Sequence, residues 1–340
     1  MRSVFTAIES TQVARPLVQL AARLALLFLC ASVPLAVAGD AAAVLEQIRT
    51  SGTTLRGMHD TLGSPQVSGF ASLPNLYNTV SPPLWSGDFG FSLSSQDWVD
   101  DIAKRGAQLA KMLALGRQGK LLTLSWHQCN PRMGEPCTFK AGVQTPLTEH
   151  EWVDLLTEGT ALHAKWAQQV GVLAGALRRL QSEHIVVLLR PYHEANIPGM
   201  WWYSATPARP IKLWAQLRRE LTHVHKLDNL VWVWAVAYHP KYWTNVASYY
   251  PGDAAVDIVG VDIYPPAKGV EPPFAVAWET LKRLAPDKPL ALTEVSALPS
   301  ARELAERKWA YAVPWGINLL QSANSAAAIG EFYNSSEMSR

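Results

Sequence analysis

The chain has 340 residues, with 30 Lys and Arg against 28 Asp and Glu, for a formal charge of +2. This near-neutral balance, with no basic block, removes any electrostatic case for a nucleic-acid or membrane-surface partner. The length suits one large α/β domain with a full core.

Residues 1–38 have the form of an export leader. Arg2, Arg15 and Arg23 give a basic start, residues 24–36 are apolar, and Ala36-Val37-Ala38 has the small–x–small pattern that precedes cleavage. The apolar stretch is short for a transmembrane helix, and an uncleaved anchor is the alternative. Cys30 lies inside that stretch behind Leu29, which argues against lipidation. Removing the leader's three arginines and Glu9 leaves residues 39–340 neutral. No later segment is long and apolar enough to span a membrane, so a secreted or periplasmic protein is expected, off the membrane once the leader is cleaved. Of three cysteines, Cys129 and Cys137 then remain, close together in HQCNPRMGEPCTF. In an exported protein a local disulfide is the economical reading, with a zinc site of His127, Cys129, Cys137 and a distant fourth ligand as its competitor.

Along the chain, apolar runs alternate with amphipathic stretches, which predicts a parallel sheet. The candidate strands are residues 54–59, 83–89, 121–127, 184–192, 230–237, 257–264, 289–294 and 310–315. Runs such as IVVLLR, LVWVWAV and DIVGVDIY are almost continuously apolar, as in strands covered on both faces. Between them, Ser94 with Asp97 and Thr148 with Glu151 have capping-box spacing. The second pair opens a long helical region reaching about Gln181. Pro210 suits the first turn of a helix, and residues 274–284 and 302–308 read as outer helices. The crossover at 61–81 is rich in Gly and Pro and is the least regular part. With no linker or repeat in view, the expectation is a single (β/α)8 TIM barrel domain over 39–340.

In such a barrel, functional groups sit at the carboxyl ends of the strands. Read in order, those ends are His59–Asp60, Asp88, His127, Glu194, His239, Asp262–Tyr264, Glu294 and Trp315. The opposite ends begin with ordinary surface residues such as Lys120, Asn229 and Lys288. Glu194 in LLRPYHEAN and Glu294 in PLALTEVSA each close an apolar run, where a carboxylate is costly to desolvate. Two such groups facing one bond are what glycoside hydrolysis needs. Arg190 and Tyr192 share parity with Glu194 and are expected to point inward with it. There Arg190 would keep a carboxylate ionised or form a structural ion pair. Tryptophan is abundant, at 14 residues. Trp126, Trp201, Trp202 and Trp315 fall at or beyond strand ends, where an indole can stack on a sugar or simply pack.

RPYHEAN (190–196), YYPGDAAVDIVGVDIY (249–264), LTEVS (292–296) and TLSWHQCNP (123–131) together resemble the motifs of glycoside hydrolase family 26, best known for β-mannanases. The resemblance implies a retaining hydrolase of a β-linked polysaccharide, with mannan the first substrate and xylan, mixed-linkage glucan or an exopolysaccharide the alternatives. A barrel that binds glycan without cleaving it is the rival of another class. Glu194 would be the acid/base and Glu294 the nucleophile, with no metal or organic cofactor required. By the same resemblance His193 and Asn196 would hold the sugar and orient Glu194, and Tyr264 would hydrogen-bond the nucleophile. His127 would line the subsite beside the scissile bond, with Trp201 or Trp202 as the stacking platform. Arg190, Asp262 and Trp315 complete the expected substrate-binding set. One departure is that Asn196 is followed by Ile-Pro-Gly-Met before Trp201, where the family usually has Asn-Gly and then aromatics.

Overall fold

Strands buried on both faces have to be roofed by helices and closed at their edges, and the chain does both. The computed structural model describes residues 40–60, 69–93, 97–265 and 269–334. The leader expected at 1–38 lies outside the described residues, as do Ser94 and residues 61–68 of the first crossover. The strands are β1 (Leu55–His59), β2 (Leu84–Asp88), β3 (Phe91–Leu93), β4 (Trp98–Asp100), β5 (Leu121–Trp126), β6 (Val187–Pro191), β7 (Leu230–Ala237), β8 (Ile258–Ile263), β9 (Leu290–Val295) and β10 (Tyr311–Pro314). Eight of them close in parallel in the order β1-β10-β9-β8-β7-β6-β5-β2, and β3 and β4 form a separate antiparallel hairpin. All eight strands expected from the sequence are barrel strands, and the (β/α)8 barrel is the observed fold.

Strand alternation sorts side chains into two cores. Leu84, Leu121, Val186, Leu188, Val231, Val233, Ile258, Ala291, Tyr311 and Val313 fill the barrel interior, in one cluster with Val44 and Ile48. Those last two belong to the helix Ala41–Thr50, whose first turn is capped by Asp40. This helix, not anticipated from the sequence, plugs the amino-terminal end of the barrel. The other strand face packs against the outer helices through Leu122, Leu124, Leu189, Val259, Val261, Leu290 and Leu292. Moving up the interior columns, polar groups replace apolar ones: Leu84–Ser86–Asp88 on β2, Leu121–Thr123–Ser125 on β5, Leu188–Arg190 on β6 and Ile258–Gly260–Asp262 on β8. The lower end is a dry core and the upper end a polar mouth.

Three local expectations are corrected. Asp97, the described half of the expected capping pair, does not open a helix: residues 98–100 pair with 91–93 as β4, and the helix starts at Ile102. Asp97 instead accepts from the amides of Trp98 and Lys140. The capping box of Thr148 and Glu151 is present. The helical region behind it is two helices, however, Glu149–Leu156 and Ala161–Gln181, interrupted by Gly159 at φ 86°. Asn229 is no surface residue: it is fully buried, donating to the Ile185 carbonyl at 2.8 Å.

Gly87 shows how tightly the outer layer is fitted. A Cβ there would lie 2.1 Å from the buried Trp85 ring, which is held by its Nε1–H bond to Asp60. Gly87→Ala is therefore expected to cost about 1–3 kcal/mol through overpacking, read as a lower midpoint in thermal unfolding.

Candidate active site

The mouth contains a cavity of about 440 Å³, lined by Asp88, His127, His193, Glu194, Asp262, Tyr264, Glu294 and Trp315 together with an apolar wall. One oxygen from each of Glu194, Asp262 and Glu294 lies within 4.8 Å of the others. The countercharge they need is built into the chain. Arg190, at the end of β6, is 2% exposed and donates to Asp262 at 2.9 Å, to Glu294, and to Ser125 Oγ at 2.9 and 3.2 Å.

Two departures from regular strand geometry aim the carboxylates. In β9 the register slips by one residue: Val261 pairs with Leu292, but Asp262 pairs with Glu294, leaving Thr293 as the extra residue of a β-bulge. Without that slip Glu294 would share the outward parity of Leu290 and Leu292. With it, Glu294 lines the cavity and Val295 joins the outer core. After β6 the chain turns sharply, with Tyr192 at φ 47° and Glu194 at φ 57°. Left-handed backbone is unfavourable for these residues and persists only where neighbours hold it. Here the Glu194 amide bonds Ala235 O at 2.9 Å, and Asn196 clasps both backbone groups of Ala237, at 2.8 and 2.9 Å.

Burial raises the Glu194 carboxyl well above the ordinary range, and the neighbouring Asp262 and Glu294 add to the rise. Asp262 is pushed up to about 7 by burial, with Arg190 pulling the other way. The Tyr264 hydroxyl, raised by burial and by Glu294, stays protonated and donates to Glu294 Oε2 at 2.5 Å. His193 is held well below the usual histidine range by burial and by Arg190, so it is neutral. His59, lowered to about 3 by burial, stacks on Trp315 with ring centroids 3.6 Å apart. Asp88 remains below the usual carboxylate range despite burial, because His127 bonds it through both Nδ1 and its amide.

Of the expected residues, Glu194, Glu294, His127, His193, Asp262, Tyr264 and Trp315 meet at this cavity. Others do not reach it. Trp201 and Trp202 are 0% exposed and present no face to a sugar; their indole N–H groups bond the carbonyls of Gln128 and His193, both at 2.7 Å. Trp126 is buried as well. Eleven of the fourteen tryptophans are buried, so packing explains most of that abundance. Asn196 spends its amide on Ala237, and Arg190 touches carboxylates rather than the cavity. Tyr192 does not follow Arg190 inward, because the turn after Pro191 directs it to Trp166 and Gln128 in the helix layer. Cys129 and Cys137 are bonded to each other, which leaves no thiolates for the zinc alternative.

Sequence reading missed the cavity's apolar wall. Phe91 and Trp98 come from the β3–β4 hairpin, Phe139 from the segment after the disulfide, and Ile197 and Met200 from the turn after Glu194. Arg105 ties this wall together, donating to Asp100 at 2.7 Å and Glu135 at 2.9 Å. Asp88 carried a signal, as the acidic end of a candidate strand. The hairpin did not, because its two strands are three residues each.

A closed parallel barrel with strand-end carboxylates meeting around a buried arginine has the build of a barrel glycosidase. The chain belongs to glycosyl hydrolase family 26, whose model matches residues 87–325. It is 32% identical over 263 residues to mannan endo-1,4-beta-mannosidase A and B of Caldalkalibacillus mannanilyticus, covering 66% of this chain and 49% of that protein. It is 28% identical over 255 residues to the mannan endo-1,4-beta-mannosidase of Bacillus subtilis strain 168, covering 70% and 62%. The chain thus spans about half to three-fifths of the length of these curated relatives. Among solved structures, GH26A of Muricauda sp. MAR_2010_75 superposes with a TM-score of 0.75 at 30% identity, covering 87% of this chain and 94% of that one. The Podospora anserina GH26-CBM35 beta-(1,4)-mannanase gives 0.69 at 25% identity, covering 86% and 64%.

Two outcomes follow for this site. Asn196→Ala leaves both backbone groups of Ala237 without partners and should cost about 1–3 kcal/mol in chemical denaturation. Glu194→Gln tests the buried carboxyl. Because the folded state raises its proton affinity, the group favours folding most at low pH and loses that contribution as pH rises above the unfolded carboxyl range. The glutamine variant should therefore gain stability over the parent as pH rises from 5 to 8, read from denaturation midpoints at each pH.

Proposed function

We propose that this chain is an exported endo-acting hydrolase of β-1,4-linked mannan that works by double displacement. The observation that carries the reading is the convergence of Glu194 and Glu294 at the barrel mouth, with oxygens within 4.8 Å. Retaining hydrolysis uses carboxyl groups about 5–5.5 Å apart, whereas inversion needs about 6.5–9.5 Å to admit a water. Mannan is supported by the names of the relatives. Export is supported by the leader pattern at 1–38 and by the Cys129–Cys137 disulfide. No helix among the described residues is long and apolar enough to cross a membrane.

In the first step Glu294, paired with Arg190, attacks the anomeric carbon, and Glu194 gives its proton to the departing glycosidic oxygen. The environments suit these roles, since Arg190 donates to Glu294 while burial favours the neutral form of Glu194. In the second step Glu194, now ionised, takes a proton from the water that releases the sugar. Tyr264 steadies Glu294 through its hydroxyl and should weaken that bond as the carboxylate charge is consumed. His127, oriented by Asp88, and His193 offer polar groups to the sugar beside the scissile bond. Trp315, backed by His59, is one aromatic face of the cavity beside those of the apolar wall, in place of the buried Trp201 and Trp202. None of these steps calls on a metal or organic cofactor.

The test is hydrolysis of mannan, xylan and mixed-linkage glucan with product sizing, alongside Glu294→Ala. Mannan cut to mixed oligosaccharides is expected, with the variant losing about 10⁴-fold or more in kcat. Azide should rescue it, giving a glycosyl azide of inverted anomeric configuration. A fully active Glu294→Ala protein would reject the assignment, and cleavage of another glycan alone would redirect the substrate.

A further inference from the structure

Thr293 belongs to none of the expected site residues, yet it lies at the centre of the acidic cluster. It is 3% exposed and its hydroxyl donates to Asp262 Oδ1 at 2.5 Å, while Arg190 holds Asp262 Oδ2 at 2.9 Å. It is also the extra residue of the β9 bulge. Room for it is made on the neighbouring strand β8 by Gly260, where a Cβ would come within 2.4 Å of the Thr293 methyl.

We propose that Thr293 is a positioning residue of this site: as the bulge residue it aims Glu294 into the cavity, and its hydroxyl keeps Asp262 the acceptor, rather than the holder, of the proton that Glu194 delivers. The inference rests on the reading of Glu194 as the acid. Glu194 and Asp262 have carboxyl oxygens within 4.8 Å of each other, so one proton has two homes. On Glu194 it is available to a leaving oxygen, with Asp262 accepting the bond; on Asp262 it is wasted. Each donor to Asp262 favours its ionised form and moves the proton to Glu194. Arg190 supplies one such donor and Thr293 another. The remaining titratable groups around the pair are Glu294 from β9, Tyr264 at the end of β8, His193 beside Glu194, Tyr238 and His239 from the loop after β7, and Tyr311 from β10. Further round the mouth, His59, His127 and Asp88 act on one another.

Thr293→Val keeps the branched shape and removes the donor. The proton then shifts toward Asp262, so fewer molecules carry it on Glu194. At the same time the doubly ionised pair loses a stabilising bond, so the pair's last proton leaves at higher pH. These two effects together form a signature that misfolding does not produce. The expected result on the substrate is a kcat/KM plateau roughly tenfold lower, chiefly through kcat, with the basic limb of the pH profile moved upward. Thr293→Ser, which restores the hydroxyl, should return both toward the parent. Carboxyl ¹³C NMR titration of parent and valine proteins reads the same upward movement without any turnover. If the parent cleaves no glycan, the proposed function fails, while the titration still decides the role of Thr293. A valine variant whose limb and carboxyl titration are unmoved, whatever its activity, overturns the inference. If valine does not fold, Thr293→Ala carries the same readouts.

Discussion

A single buried guanidinium cannot neutralise three carboxylates, and that inequality organises the mouth of this barrel. Arg190 spends its hydrogen bonds on Asp262, Glu294 and Ser125 rather than on Glu194. An unpaired carboxylate in such a place would cost several kcal/mol, roughly, so the group left without the cation takes up a proton instead. Burial and the placement of that one cation together treat two chemically identical side chains differently: Arg190 donates to Glu294, while Glu194 is raised well above the ordinary range. That asymmetry is what the proposed proton donor and nucleophile require of each other.

Aiming those groups required the strands to break their own rules. Regular alternation would have sent Glu294 outward among Leu290 and Leu292, and an ordinary continuation of β6 would have left Glu194 on a different course. The bulge at Thr293 and the left-handed backbone at Tyr192 and Glu194 are the two corrections. Positive φ at such residues costs about 1–3 kcal/mol each, and the surroundings compensate through the Asn196–Ala237 clasp and the Trp202 bond to the His193 carbonyl. Two residues expected to touch sugar thus hold the turn that carries Glu194. The regular barrel supplies rigidity and its irregularities supply direction.

Strand periodicity and strand-end chemistry were legible in the chain, because both are local. The apolar runs located all eight barrel strands, and the charged residues closing them located Glu194, Asp262 and Glu294. Tryptophan was misread for an equally physical reason: an indole has the same composition whether it faces a sugar or a helix. Trp201 and Trp202 lie beside Glu194 in the chain, but their N–H groups are claimed by carbonyls on the inner side of the turn. Likewise the three-residue strands of the hairpin are too short to show a period, and the capping signal at Asp97 gave way to the pairing of residues 98–100 with β3.

By itself, then, the sequence determined the barrel, the acidic strand ends and the two cysteines close enough to bond, since each follows from periodicity, burial cost or short chain separation. Tertiary structure alone decided which way the acids point, which of them keeps its proton, and which aromatics meet the cavity. Those properties depend on the register between neighbouring strands and on charges brought together from residues as distant as Arg190 and Glu294, 104 positions apart. No local pattern encodes a sum of fields that exists only once the sheet has closed.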